Sequence, residues 1–404
     1  MANSILTINM ITREAVRLWK NSNEFIRLID QQYDDQYAKT GAKIGSALRV
    51  RYPNDFTVRT GPAAQVQDTT ETSTTLVLAT QQGVDVSYSS QERTMQLDDF
   101  SRRTLAPMVN NLAGAVASNV MSGVESGISN IVLNTDASGN LISPVASTWL
   151  QAGAALDLNS APRENRRVLT DPLTMARTVA SLAGLLNPSG SISRQYETGQ
   201  MADALGFTWF QDQTVIKHTT ASYSGSLTVS GANQTGLSIT TAAITGGLNQ
   251  GDIVTFAGSN AVNHITKVST GQLKQFVVTQ AVATAGTSIP IYPALIPASG
   301  GQTVQYQTVD NSPTNNGAVT VLTASGVVYR KNFVFAPQAV TLAMADLELP
   351  KGVHEAARES YDGVSMRMVS AYNVQTDQFI TRLDVLYGYL WLRPEWACVV
   401  PDIV

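Results

Sequence analysis

Residues 97–133 read LDDFSRRTLAPMVNNLAGAVASNVMSGVESGISNIVL. Apolar side chains fall at Leu105, Val109, Leu112, Val116, Val120, Val124, Ile128 and Val132, a spacing of threes and fours that lines one stripe of a helix. Over that span a helix would run about 50 Å, long enough to act as a strut for other layers. After Arg103 only Glu125 is ionised before Asp136, and the opposite face is Ala, Gly, Ser and Asn. A helix with so small and uncharged an outer face calls for a covering layer, from the fold itself or from a neighbouring subunit. Pro107 fits a first helical turn and kinks an interior, so the helix is expected to break near Arg103.

The remaining composition agrees with a chain that buries much of its surface. Of 404 residues 43% are hydrophobic, enough for two or three real cores, while only 14% are charged, well below the usual quarter. Polarity comes instead from Gly, Ser, Thr, Asn and Gln. The net charge of -4 and the absence of any Lys/Arg run longer than a pair disfavour a direct nucleic-acid footprint. A single cysteine, Cys398, excludes an internal disulfide framework, and no apolar run approaches a membrane span. The opening MANSILTINMITRE lacks a charged region ahead of its apolar residues, so no signal peptide is expected and the chain reads as cytoplasmic.

Residues 12–40 carry apolar side chains at Ala15, Trp19, Ile26, Ile29, Tyr33 and Tyr37, with Thr12 placed to cap the start and Gly41 beyond the end. Two readings of this amphipathic helix are open: packing on its own core, or docking onto a neighbouring copy. From residue 44 to 88 the period changes to two. ALRVRY, FTVRT, TTLVLAT and VDVSYS predict long strands joined through DTTETSTT, an extended flap with little core that must lean on something outside itself. Arg49, Arg51 and Arg59 lie along it, either as solvated sheet-face charges or as inter-subunit ion pairs.

Helices are predicted at WLQAGAALDL and DPLTMARTVASLAGLLNP, the second opening with Asp171-Pro172 and closing at Asn187-Pro188, with the strand RRVLT between them and GFTWFQDQTVIKH as a strand pair. That is a globular α/β lobe. Residues 219–311 shift to short alternating runs rich in Ser, Thr, Gly, Val and Ile, separated by turn residues, the pattern of a β sandwich or barrel. Mixed patterning returns afterwards, so the module reads as an insertion. The tail alternates through SMRMVSAYNV and DQFITRLDVLYGYLWLRPEWACVV.

Catalytic signals are poor. His218, His264 and His354 are scattered, and Cys398 lies in an alternating run that suits a buried structural thiol. There is no GxSxG, GxGxxG or phosphate-loop GK pair. Residues 134–145 begin like a calcium loop, but Val145 stands where the bidentate glutamate belongs, so a solvated turn is expected. Arg163, Arg166 and Arg167 of PRENRR are interrupted by Glu164 and read as solvated charges. No enzyme activity, cofactor or metal is expected.

The order of these parts, together with TGAKIGSALRVRYPNDFTVRTG, LDDFSRRTLAPMVNNLA, APRENRRVLTDPLTMA, LTVSG through QGDIVTFAG, KNFVFAPQAVTLAMADLELP and RLDVLYGYLWLRPEWACVVP, resembles the major capsid proteins of tailed bacteriophages. Within them it resembles the phage P-22-type coat proteins, whose lobe carries an immunoglobulin-like insertion. The resemblance implies an α+β fold of the Hong Kong 97 type. It divides the chain into an arm (1–42), an extended loop or E-loop (43–93), a peripheral domain with the spine helix (94–135), an axial domain (136–218 and 312–372), the inserted β-barrel (219–311) and closing strands (373–404). It further implies self-assembly as pentamers and hexamers into an icosahedral shell in the host cytoplasm, around double-stranded DNA held without sequence recognition. A portal protein, a separate scaffolding protein and a cement or decoration protein are the implied partners, and no membrane is involved. Trp19, Ile26, Ile29, Tyr33, Arg49, Arg51 and Arg59 become the candidate subunit-interface residues. A tail or receptor-binding β-rich protein is the alternative; it accounts for the insertion but not for the long helix or the lobe.

Phosphate binding needs clustered Lys or Arg, and this chain has none. The unassembled subunit is therefore expected to show no tight, steeply salt-dependent binding of duplex DNA in a filter or anisotropy titration; such binding would contradict the charge argument.

Overall fold

The computed structural model describes residues 8–22, 24–31, 47–52, 54–59, 61–64, 66–67, 73–89, 104–182, 201, 203–299, 304–361 and 363–404. By its contacts the chain forms two units. One comprises Met1–Arg51, Ser73–Val120 and Val340–Leu392, and the other Tyr52–Thr72, Met121–Ala339 and Arg393–Val404.

The first unit is built on a long strand. Helices α1 (Ile8–Ser22) and α2 (Glu24–Leu28) open the chain, followed by strands β1 (Ala47–Arg51), β2 (Ser73–Val77) and β3 (Thr80–Ser89). Its closing strands are β16 (Val340–Ala345), β17 (Glu355–Tyr361), β18 (Val364–Asn373) and the fourteen-residue β19 (Gln378–Trp391). β19 pairs antiparallel with β18 and β3 along its first part and with β16 along its last, while β17 adds outside β18. Expected flap strands thus have different fates: β1 and β2 pair with each other, Val50 opposite Thr74, whereas VDVSYS lies in β3 and joins the large sheet. Residues 56–59 of FTVRT are not strand, and residue 60 and the tip residues 68–72 lie outside the described residues.

The hairpin finds its support within the chain. Leu76 and Leu78 pack on Ala343 of β16, with Leu48, Ala345 and Leu390 around them. A Cβ on Gly388 would collide with the Val77 carbonyl, so only glycine lets β19 take the flap this closely.

The strut is real but shorter than expected. Helix α3 spans Ala106–Val124, nineteen residues or about 28 Å, with Pro107 in its first turn; residues 97–103 lie outside the described residues. Val109, Leu112, Val116, Val120 and Val124 are buried as the stripe predicts, and Asn110, Asn111, Ala115, Ser118 and Ser122 are exposed. Ile128 and Val132 are not helical. The turn Glu125–Gly127 tightens, Ile128 is extended and strand β4 (Asn130–Ile131) begins, so the apolar rhythm runs on through a buried strand. Inside the first unit, the Tyr387 hydroxyl donates to Asn119 Oδ1 at 2.9 Å.

The second unit contains helices α4 (Ala146–Leu158) and α5 (Pro172–Leu182) and a seven-stranded sheet. Its path runs β4, β20 (Ala397–Ile403), β15 (Val328–Phe335), β5 (Arg167–Thr170), β7 (Phe207–Gln211) and β6 (Asp203–Ala204), with β8 (Lys217–Thr219) also on β15. The predicted pair in GFTWFQDQTVIKH does not form: β7 runs parallel to β5, and β8 pairs with β15. Trp149 of α4 meets Trp209 edge-on at 4.9 Å, in a core shared with Met175, Val334, Cys398 and Val400. The expected end of α5 at Asn187-Pro188 lies outside the described residues.

Between β8 and β15 the regular elements among the described residues are strands: β9 (Leu227–Thr228), β10 (Gly236–Thr240), β11 (Ile253–Val262), β12 (Ser269–Val278), β13 (Ser288–Leu295) and β14 (Ala318–Val321). The order β10-β13-β12-β11-β14-β9 is joined end to end by a bridge from Val229 to Thr241. Phe256, Phe276, Val254 and Val278 fill a core of its own. β14, beyond residue 311, pairs with β11 in this sheet, Val254 opposite Val321. The return segment changes units at Val340 and again after Leu392.

A fragment of residues 220–327 should melt cooperatively by circular dichroism, whereas 219–311, lacking β14, should not. Equal cooperativity in both would show that β14 is dispensable.

Candidate subunit interface and a buried charge cluster

The sequence candidates separate into buried and exposed groups. Thr12, Ala15, Val16 and Trp19 form the inward side of α1, which packs across β17 and β18; Ile26 and Ile29 are likewise buried. Trp19 is 1% exposed, so this face is already covered within its own chain. Tyr33 lies outside the described residues. On the exposed side of α1, Arg13 pairs with Glu359 at 3.2 Å.

Arg49, Arg51 and Arg59 are exposed. Arg49 Nε donates to Ser73 Oγ at 2.7 Å, and Arg59 donates to the Gly61 carbonyl. Beyond the paired part of the flap, Phe56, Val58 and Val66 are 58%, 95% and 94% exposed. Thr57 and Gln67 are tied by two hydrogen bonds, from Thr57 N at 2.8 Å and from Gln67 Nε2 at 2.6 Å, next to Phe56, Val58 and Val66 in the chain.

The other sequence features resolve structurally. Asp136 accepts from the backbone of Ser138 and Asn140, a closed polar turn. Arg163 and Arg166 both pair with Asp157, at 3.2 and 2.7 Å. Cys398 is buried, which pushes its thiol up to about 12 and leaves it inert. His354 packs edge-on against Phe379 and His264 is 3.6 Å from Asp55, so the histidines are not brought together. Among the described residues no group of three or more His, Cys, Asp or Glu could hold a metal ion.

His218 belongs to an arrangement that sequence reasoning missed. Its Nδ1 meets Glu125 and its Nε2 meets Asp252 Oδ1 at 2.8 Å. Lys331 Nζ is 2.5 Å from Glu125 Oε1 and donates to the Gly251 carbonyl at 3.3 Å. Asp252 Oδ2 also accepts from the backbones of Asn249 at 2.8 Å and Ala221 at 3.3 Å. Lys331 is 1% exposed and Asp252 fully buried. Gly251 adopts φ +90°, and a Cβ there would stand 2.7 Å from the Glu125 carboxylate. Burial opposes the charge on Glu125, but hydrogen bonds from His218 and Lys331 prevail and hold its carboxyl below the usual range. Burial lowers Lys331, partly offset by Glu125. The one sequence signal was Glu125, alone on an uncharged strut.

The family model described as P22 coat protein, gene protein 5, matches residues 43–400. The chain belongs to the P22 coat protein family. It is a phage major capsid protein, a structural subunit of the icosahedral shell located in the virion capsid, and not an enzyme. No curated protein sequence matches it. Among solved structures, a chain from Mycobacterium phage Che8 is similar at 10% identity and TM-score 0.49, over 94% of this chain and 90% of that one. The capsid of Cyanophage P-SCSP1u gives 11% identity and TM-score 0.45, over 93% and 88%. The CUS-3 coat protein I-domain gives 32% identity and TM-score 0.21, over 25% of this chain and 98% of that one. The chain is mixed α+β, as expected, and among the described residues no helix is long and apolar enough to cross a membrane.

Trp19→Ala should destabilise the unassembled coat protein by about 3–5 kcal/mol in urea titration, the cost of truncating a buried tryptophan. Arg49→Ala should stay within about 0.5 kcal/mol of wild type, as expected for an exposed side chain. The reverse order would contradict the burial described here.

Proposed function

We propose that this coat protein builds its shell in the Hong Kong 97 manner, as pentamers and hexamers in which the flap of one copy clasps the next. The observation that carries the proposal is the exposed set Phe56, Val58 and Val66, with the exposed Arg59 in the same stretch of chain. Apolar side chains beside an unburied arginine suit a contact made only on assembly, an apolar centre with a charged rim. The small neutral face of α3, Asn110, Ala115, Ser118 and Ser122, supports the same reading, because covering it desolvates no charge.

On this proposal residues 1–42 act as arm and 43–93 as E-loop, and the seven-stranded sheet with its helices acts as the axial domain. A scaffolding protein directs closure in the host cytoplasm, a portal protein occupies one vertex, and a cement or decoration protein binds the finished surface. DNA is retained by confinement, in keeping with the net charge of -4.

Val58→Asp combined with Arg59→Glu should leave the subunit's urea midpoint unchanged yet abolish closed particles in negative stain when the protein is produced with its scaffolding partner. Normal shells from this variant would sink the clasp.

A further inference from the structure

His218 presents each ring nitrogen to a carboxylate, Nδ1 to Glu125 and Nε2 to Asp252. A neutral imidazole has one N–H and one lone pair, so in that state one carboxylate would face a lone pair; only the imidazolium donates on both sides. The other groups facing this site are Lys331, bound to Glu125, and Tyr329, whose ring lies 5.3 Å from that of His218. Tyr223, near Asp252, and Tyr329 are both held protonated, first by burial and then by the neighbouring carboxylates. With the imidazolium the cluster carries two charges of each sign. Without it, a buried site is left with excess negative charge.

The members come from separate parts of the second unit. Glu125 begins the turn after α3. His218 and Lys331 lie on β8 and β15, the paired strands that lead into and out of the inserted module, and Asp252 immediately precedes the module's strand β11. We propose that this cluster is a proton-dependent latch: the imidazolium of His218 fastens the base of the inserted module to the turn at Glu125, and loss of that proton releases it.

The direction follows from linkage. Burial works against a charged His218, but the hydrogen bonds to Asp252 and Glu125 prevail, so it titrates above its ordinary 6.5. Its contribution is complete below that value and is lost as pH rises through the higher folded one. Glu125, held below its ordinary 4.5, contributes above that value and fails only in stronger acid. The latch is closed between these limits and opens on the alkaline side.

Hydrogen exchange of the full-length subunit, corrected for intrinsic base catalysis, tests this between about pH 6 and pH 9, where opening should grow by up to about tenfold per pH unit beyond the folded pKa. Peptides covering 217–221 and 249–255 should lose protection with rising pH, while β12 and β13 hold theirs. In His218→Gln the pH dependence at 217–221 and 249–255 should vanish. A flat wild-type profile, or the same slope in the variant, overturns the proposal. If His218→Gln does not fold, the ring nitrogens of wild-type His218 decide by NMR: two bound protons at about pH 7 support the latch, and a neutral ring there overturns it.

Discussion

A lysine in a buried strand must find a negative charge, and the second unit is arranged around that requirement. β15 is buried over seven of its eight residues and takes partners on both edges, yet Lys331 stands in its middle. An unpaired ammonium there would cost several kcal/mol. Glu125 supplies the counter-charge, which fixes where the turn after α3 must lie. Gly251 suits the place beside that carboxylate because its φ of +90° is a conformation that side-chain-bearing residues rarely adopt. His218 and Asp252 complete the charge balance and connect the module's base to the sheet. A buried network of this kind is weak evidence for stability but specifies one arrangement, since each member left alone is penalised.

The first unit solves a different problem by apolar means. β19 is long enough to pair with three strands, and the flap borrows its hydrophobic support from Ala343 and Leu390. The stretch between β1 and β2 is counted with the second unit, and its Phe56, Val58 and Val66 are exposed. The exposed Phe56 and Val58 are therefore surplus to folding, which makes them available to a neighbour. Trp19 is the opposite case, an aromatic used up inside the subunit.

Local signals were legible in the sequence, and non-local ones were not. The buried stripe of α3, the Asp171-Pro172 start of α5 and the alternation of the inserted module follow from periods and caps, which act over a few residues. Pairing partners do not: GFTWF and IKH look like one hairpin, yet each finds its mate elsewhere in a sheet. The strut was overestimated because Ile128 and Val132 continue the helical rhythm by chance, although the helix ends at Val124 and Ile128 is extended. The arm was legible as amphipathic, but amphipathicity does not say which copy covers the face. Least legible was the charge cluster, since Glu125 meets His218 across 93 residues. A lone acid on an otherwise uncharged helix was its only trace.

The claim that these exposed flap residues exist for assembly is tested most directly by a cryo-EM reconstruction of the shell. The account predicts that Phe56, Val58, Val66 and Arg59 are covered by an adjacent copy, while Trp19 and Ile26 stay covered by their own chain. A closed shell in which the flap tips face solvent would contradict it.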